Sequence, residues 1–385
     1  MNTKFWPSLQ LIAYARVAQG ILYTLDLDDL KHKFQIERRG CNYIEEIDEK
    51  LSEIVLPTYS EIFSRLTAAR RNPEDVINVP LQPQIKKQLR GIVIALGLEV
   101  KQWFKSHEFI LIGGCNNLRN KLSWLSFGVI DRLQTARNFI HDEDWNIGER
   151  FHFACQYCFE DDVQMLWRSM TAQCRRDTVM ELPKTSNMWL WMDTLHRNIP
   201  RNWEAISNNP RGTNFFVNNL VGIRSYFPNL RNPEMRCHCI RFALNSENAH
   251  NYDLYVCISL LNTGEFSFLR TSLRLTEFRT LLKSFLEWPF QIIFLDLVKD
   301  FEIRINQEVF NYVVNFILRS KLGPGFQDHM YVEIFVPFWN SFSAMYGRRI
   351  QTNTELYCLV RCVLKHSKDY DVRPYRHMLN MYFSE

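Results

Sequence analysis

The chain has 385 residues, of which 46% are hydrophobic and 23% are charged, a balance that excludes an intrinsically disordered chain. Its formal net charge is +4, which is too small to indicate a nucleic acid or a membrane as the partner. Glycine is scarce, with 14 residues, and neither G-x-G-x-x-G nor G-x-x-x-x-G-K-[ST] occurs, so the usual loops that cradle nucleotide phosphates are missing.

Apolar residues recur at helical spacing through the first third of the chain. The first predicted helix covers residues 8–19, and Asn42 caps another that is ended by Pro57. Residues 58–70 form a further predicted helix, and three prolines within residues 73–83 predict a linker or sharp corner. Two long helices are predicted next, at 84–106 and 118–140.

Residues 151–167 predict a tight pair of helices, and further helices follow to the end of the chain. Proline pairs bracket a Trp-rich helix between residues 183 and 199. The later predicted helices are 214–226, 232–244, 253–262, 277–287, 291–300, 307–319, 328–345, 355–366 and 374–383. Two stretches alternate like strands: Phe301–Ile305 could be a short strand or an extended connection, and Tyr331–Val336 competes with a predicted helix.

This pattern predicts an all-α fold, an irregular array of stacked antiparallel helical hairpins that is α-solenoid-like. Residues 1–115 would form an N-terminal helical region, and residues 116–385 a helical-repeat-like region. The two regions could also form one continuous array.

The stretch from Phe151 to Trp167 reads FHFACQYCFEDDVQMLW. It is similar to the core of an ankyrin-type repeat, L-H-x-A-A-x-x-G-H-x-x-x-V-x-x-L-L. His152, Ala154 and Val163 match without a gap in spacing, as does Leu166. The resemblance implies an α-helical-repeat protein that binds other proteins through successive hairpins, and it carries over no catalytic residue.

The same stretch departs from the ankyrin pattern in specific places. Glu149 and Arg150 stand where the family has Thr-Pro, and Cys158 replaces the turn glycine, which puts the tight left-handed turn in doubt. No second copy occurs at the period of about 33 residues that an ankyrin array requires.

One spacing of histidine and cysteine could hold zinc, since imidazole and thiolate are good zinc ligands. His152, Cys155 and Cys158 supply an H-x-x-C-x-x-C half-site, and Cys237 and Cys239 could complete it, with His250 as a further ligand. On apolar helices, however, such residues point in different directions, and burial in a packed core is the favoured interpretation. The sequence therefore predicts no catalytic residue, metal or cofactor.

The ten cysteines lie mostly in apolar helical runs, and no N-x-[ST] sequon occurs. Both features favour a reducing, intracellular and cytoplasmic location. The N-terminal segment is interpreted as an amphipathic helix rather than a signal peptide. The longest apolar run, Gly91–Leu98, is far shorter than a membrane span, so no membrane association is expected.

The predicted function is that of a non-enzymatic helical-repeat scaffold whose partner is another protein. A zinc-stabilised or Cys/His-dependent helical enzyme is the alternative. A nucleic-acid binder is a weaker one, because the four Arg-Arg pairs are far apart and are better explained as charges at helix ends. These pairs start at Arg38, Arg70, Arg175 and Arg348.

Overall fold

A computed structural model describes residues 4–24, 42–56, 79–107, 121–181, 191–192, 194–195, 202–208, 215–217, 219–246, 249–322 and 330–365. These residues fold into helices that pack against one another, so the prediction of an all-α fold is confirmed. The predicted helices at 58–70 and 374–383 lie outside the described residues, as does the predicted boundary between residues 115 and 116. Most of the proline-rich linker and most of the Trp-rich segment also lie outside them.

The N-terminal part is built on one long helix. The elements are α1 (Leu9–Leu22), α2 (Asn42–Glu53), β1 (Val55–Leu56), β2 (Val79–Pro80) and α3 (Pro83–His107). The Ser8 hydroxyl accepts the Leu11 N–H and so caps α1. Both α1 and α2 pack on α3, whose middle is buried, because its apolar residues cover the whole circumference there. The two strands form only a two-residue antiparallel pair.

The predicted helix at 118–140 is wrong over its first half. Helix α4 spans only Arg132–Ile140, and residues 121–131 form a turn in which Trp124 and Ile130 pair as an antiparallel bridge. Gly128 has φ +79°, a left-handed conformation that a helix cannot include. The turn is held from outside, since Glu99 Oε1 accepts the Ile130 N–H at 3.2 Å.

The predicted helix pair at 151–167 is confirmed as α5 (Ile147–Tyr157) and α6 (Glu160–Ser169), followed by α7 (Ala172–Glu181). Cys158 itself adopts the left-handed conformation, with φ 57° and ψ 37°. The Cys158 N–H donates to Cys155 O at 3.2 Å, and the Phe159 N–H donates to Ala154 O at 3.0 Å, the bonds of a Schellman turn. The turn therefore forms without glycine.

The predicted helix at 214–226 is broken in the structure. After α8 (Trp203–Asn208), the chain passes through a 3-10 turn at Leu220–Gly222 into α9 (Ile223–Tyr226), then through another at Phe227–Asn229. Gly222 lies so close to the Gln156 carbonyl of α5 that a Cβ at this position would clash with it, so only glycine fits there.

Four helices of similar length then follow with short connections. They are α10 (Pro233–Leu244), α11 (Asn251–Ser259), α12 (Thr263–Ser272) and α13 (Leu275–Phe285). The start of α10 at Pro233 is as predicted, whereas α12 was not predicted at all. The buried Glu277 joins α13 to α10, because its carboxylate accepts hydrogen bonds from Arg241 Nε at 3.1 Å and from Asn245 Nδ2 at 3.0 Å.

The last described elements complete the array. A 3-10 turn at Phe290–Ile293 leads into α14 (Phe294–Asp300). Helix α15 (Gln307–Asn315) continues as a π-helix over Phe316–Leu322. The last described helices are α16 (Tyr331–Tyr346), α17 (Arg348–Gln351) and α18 (Thr354–Lys365). Phe301–Ile305 is not a strand, since Glu302–Arg304 forms a 3-10 turn. Tyr331–Val336 is helical because both of its alternating faces are used, Val332 and Ile334 being buried along with Tyr331 and Phe335.

One hydrophobic cluster runs through both predicted regions of the chain. Phe5 shows how they join: its ring centroid lies 5.1 Å from that of Phe127 and 5.3 Å from that of Phe290. Its backbone N–H donates to Tyr255 Oη at 2.7 Å. These contacts join the N-terminal segment to the turn at residues 121–131, to α11 and to the 3-10 turn that follows α13. Residues of α3, α10, α11 and α13 line the cleft described below.

Candidate functional site: a lysine-lined cleft

The residues predicted as low-probability zinc ligands are all buried in the helical core. His152 and Cys155 lie on α5 with Cys158 at its end, while Cys237 and Cys239 lie on α10. In the part of the chain that the structure describes, no three His, Cys, Asp or Glu side chains stand together as metal ligands would. His250 is directed elsewhere, to Glu99.

The environment of these side chains is that of a packed core. Burial lowers the pKa of His152 to about 4 and raises the pKa of Cys237 to about 11, so both groups are held in their neutral forms. Asn219 Nδ2 donates to Cys158 Sγ at 2.7 Å, and Trp191 Nε1 donates to Cys155 O at 2.9 Å. A thiol with a raised pKa is a poor nucleophile.

Cys158 of the first half-site and Cys239 of the second both affect the same buried side chain, Tyr226. Tyr226 is fully buried, and burial together with Cys239, Cys158 and Cys257 raises its pKa well above the ordinary value. The hydroxyl of Tyr226 has no hydrogen-bond partner among the described residues. The Tyr226 ring packs against Trp203, Phe215 and Phe216, as a core side chain does.

One of the described Arg-Arg pairs acts at a helix end. Arg175 Nε donates to Trp167 O at 2.8 Å and its Nη2 to Arg168 O at 3.3 Å, so this side chain caps the final turn of α6. Arg348 and Arg349 lie on α17, and the other two pairs fall outside the described residues. The helix-end interpretation therefore holds for Arg175.

A cleft of about 810 Å³ opens where α3, α10, α11 and α13 meet. The α3 residues that line it include Ala95, Glu99 and Gln102, whose spacings of three and four residues put them on one helix face. The opposite wall comes from α13 and the π-helix, and α10 and α11 form the end. A volume of this size falls within the usual range for ligand sites, roughly 300–1,000 Å³.

Buried polar side chains concentrate in this cleft. The described part of the chain has fourteen buried polar or charged residues, and five of them line the cleft: Glu99, His250, Ser284, Gln291 and Lys321. Removing a polar group from water costs free energy unless it is hydrogen-bonded. Their concentration in one place distinguishes this cavity from a packing gap, which would be apolar.

Glu99 and His250 form the inner end of the cleft. His250 Nε2 donates to Glu99 Oε2 at 2.8 Å, and His250 Nδ1 accepts the Tyr252 N–H at 3.3 Å, an arrangement that places the ring proton on Nε2. Burial raises the pKa of Glu99, but His250, Arg132 and the Ile130 N–H outweigh it and hold the pKa below its ordinary value. Glu99 thus stays ionised while it joins α3 to α11.

The opposite wall holds a second fixed network. Lys321 Nζ lies 2.6 Å from Glu287 Oε2, Gln291 Nε2 donates to Tyr331 Oη at 3.2 Å, and Tyr331 Oη donates to Leu286 O at 2.8 Å. Lys321 belongs to the seven-residue π-helix at Phe316–Leu322. Such irregular helices occur frequently at functional sites.

The cleft carries an excess of positive charge. Among the described residues that line it, the lysines are Lys101, Lys105, Lys283 and Lys321, and the carboxylates are Glu99 and Glu287. The formal excess of two positive charges lies in a concave, partly desolvated space, where attraction to an anion is stronger than on an open surface.

Lysines near helix C-termini have an ordinary explanation, because cations there offset the negative end of the helix dipole. The ends of α3, α10 and α13 all meet at this cleft. At the ends of α10 and α13, backbone donors serve the last turn: the Asn245 N–H donates to Arg241 O at 3.1 Å and the Leu286 N–H to Leu282 O at 3.1 Å.

Sequence reasoning missed this cleft. Its described lining residues lie within 95–105, 243–246, 249–254 and 280–291 and at positions 312, 321 and 331, so they form no local motif. One signal was present: Glu99 stands alone in the apolar middle of a predicted buried helix, where an ionised side chain requires partners.

In the described residues, no helix is both long and apolar enough to cross a membrane. Comparisons of the chain with protein-family models, with curated proteins and with solved structures found no match.

Proposed function

We propose that this chain is a non-enzymatic, repeat-like helical scaffold that binds another protein, and that the cleft receives an acidic segment of that partner. The observation that carries the proposal is the convergence on one cavity of five buried polar side chains, Lys321 among them, and three further lysines. Groups fixed in this way are suited to holding a ligand by charge and hydrogen bonds.

The Cys/His-dependent enzyme receives less support. Five candidate side chains lie in the hydrophobic core and do not line the cleft: His152, Cys155, Cys158, Cys237 and Cys239. The pKa values of His152 and Cys237 are shifted towards the neutral forms. His250 does line the cleft, but it is bonded to Glu99. The eight described cysteines are free thiols, which agrees with the proposal of a reducing, intracellular compartment.

The test is binding of dye-labelled peptides measured by fluorescence anisotropy. Three 12-residue peptides would be compared, with Glu, Gln or Lys at alternate positions between serines. We expect the Glu peptide alone to bind, and Lys101→Glu combined with Lys105→Glu to weaken it by about tenfold or more, the equivalent of about 1.4 kcal/mol.

Lys299→Glu is the matched control. Lys299 is an exposed lysine of α14 that pairs with Asp296 at 2.9 Å outside the cleft, so its reversal should leave affinity unchanged. Equal loss in both variants would overturn the proposal, because it would show only a response to net charge. A labelled single-stranded oligonucleotide that binds more tightly than the Glu peptide, with steep salt dependence, would favour the nucleic-acid alternative.

A further inference from the structure

All the cations among the described residues that line the cleft are lysines. The planar guanidinium of arginine pairs with a carboxylate or a phosphate through two parallel hydrogen bonds, whereas a lysine ammonium is a compact point charge with no fixed plane. Several separate ammonium groups can meet the oxygens of one anion from different sides. A phosphomonoester presents three such oxygens and a carboxylate presents two.

The number of positive charges in the cleft, and the depths at which they lie, also favour a phosphomonoester as the ligand. The described lining carries a formal excess of two positive charges. This excess matches a phosphomonoester, which carries about −1.5 to −2 at pH 7, better than it matches a single carboxylate. Lys321 is only 7% exposed and lies at the wall, while Lys105 and Lys283 are exposed at the rim. A charged group that enters the cleft therefore meets ammonium groups at more than one depth.

The remaining lining suits a phosphate attached to a peptide. Gln102 supplies an amide, and Trp288 and Tyr312 supply aromatic rings beside the charged groups. A cavity of about 810 Å³ accommodates one phosphorylated side chain and its immediate neighbours rather than a nucleic-acid duplex.

We infer that the cleft recognises a phosphomonoester carried on the partner's segment, such as a phosphoserine, through Lys101, Lys105, Lys283 and Lys321. This inference rests on the proposed function and names the chemistry of the same site. Free phosphate would share the lysines but lack the contacts that the flanking residues make with the rings.

The experiment uses one labelled peptide, with neutral flanking residues and a central tyrosine, in three forms: serine, glutamate or phosphoserine at one position. We expect the phosphoserine form to bind at least about tenfold more tightly than the glutamate form, and inorganic phosphate to compete only at far higher concentration. Lys105→Gln and Lys283→Gln should each reduce phosphopeptide affinity severalfold, while Lys105→Arg, which keeps the charge and fold, should lose less than Lys105→Gln. Lys299→Gln serves as the control outside the cleft.

The outcomes separate the two proposals. If the glutamate and phosphoserine forms bind equally and both depend on the cleft lysines, the acidic-segment proposal stands and the phosphate inference is overturned. If neither form binds but the peptide with alternating glutamates does, only the phosphate inference is overturned. If that peptide also fails to bind, both proposals are overturned. If inorganic phosphate competes at the same concentration as the phosphopeptide, the site binds a free phosphate and not a partner's segment, which also overturns the inference.

Discussion

At the scale of single residues, two histidines are placed in the core where their protonation opposes folding. His107 stacks between Trp103 and Phe153, with ring centroids 4.4 and 5.5 Å away, and its Nε2 accepts the Tyr157 hydroxyl at 2.7 Å. Burial lowers the pKa of His107 to about 3 and that of His152 to about 4. His152 Nδ1 has no hydrogen-bond partner among the described residues. Both imidazole rings are therefore neutral and pack among the apolar side chains of the core.

A pH dependence of stability follows from these shifted pKa values. The unfolded chain takes up a proton on each histidine near pH 6.5, whereas the folded chain does not, so stability is complete above that pH and falls as the pH drops. We expect His152→Gln to flatten the slope of unfolding free energy between pH 6.5 and 5 by about 1 kcal/mol per pH unit. Urea unfolding at several pH values measures it, and parallel slopes for the two proteins would contradict the buried neutral histidine.

At the scale of elements, the helix ends explain both the successes and the errors of sequence reasoning. Pro233 and the pair α5–α6 were predictable because their signals are local. Helix α12 falls between the predicted helices at 253–262 and 277–287, where Thr263-Gly264 has the composition of a helix stop. The local signal was present in Asn262 and Glu265, which bond each other's N–H groups as a capping box.

The error at residues 121–131 had a different cause, which no local pattern could reveal. That turn depends on Glu99, which is distant in sequence, and on Thr135 Oγ1, which accepts the Ser123 N–H at 3.0 Å. The apolar residues of this segment are helically spaced, but the segment bonds to residues outside it instead of forming a helix. Tertiary partners therefore overrode the helical periodicity.

Substitution of Cys158, which has a left-handed backbone conformation, tests whether the turn between α5 and α6 is strained. Glycine adopts φ 57° freely, whereas a β-branched side chain is strongly disfavoured there. We expect Cys158→Gly to stay within about 1 kcal/mol of the parent, since relief of backbone strain offsets the lost thiol contact with Asn219. Cys158→Val should lose at least about 2 kcal/mol. Urea midpoints of the two variants that coincide would rule out strain at this position.

At the scale of the whole molecule, the described core is continuous, and the cleft depends on that continuity. Its walls belong to the residue ranges predicted as separate N-terminal and repeat-like regions, joined across the core by Phe5 and by Glu99–His250. The all-α fold could be read from helical periodicity, which each segment displays by itself. The cleft could not, because only tertiary packing brings its four segments together.

Substitution of Phe5 tests whether the N-terminal and repeat-like regions unfold cooperatively, in a single transition. Phe5 is 8% exposed, and its neighbour Trp6 is 78% exposed, which makes Trp6→Ala a matched control. We expect Phe5→Ala to lower the unfolding free energy by about 3 kcal/mol in a single transition followed by far-UV circular dichroism, and Trp6→Ala to change it by less than about 0.5 kcal/mol. Two separated transitions in the parent protein would contradict a cooperative core.

The all-lysine lining of the cleft has a chemical consequence of its own. Primary amines can be acylated, and arginine guanidinium groups under the same conditions are not, so acetyl transfer could erase the charge of this cavity while leaving its shape in place. The order of modification is set by accessibility: Lys105 and Lys283 at the rim precede Lys321, which is 7% exposed and bonded to Glu287. Two acetyl groups at the rim would remove the formal excess of two positive charges and bring the cleft to electrical balance.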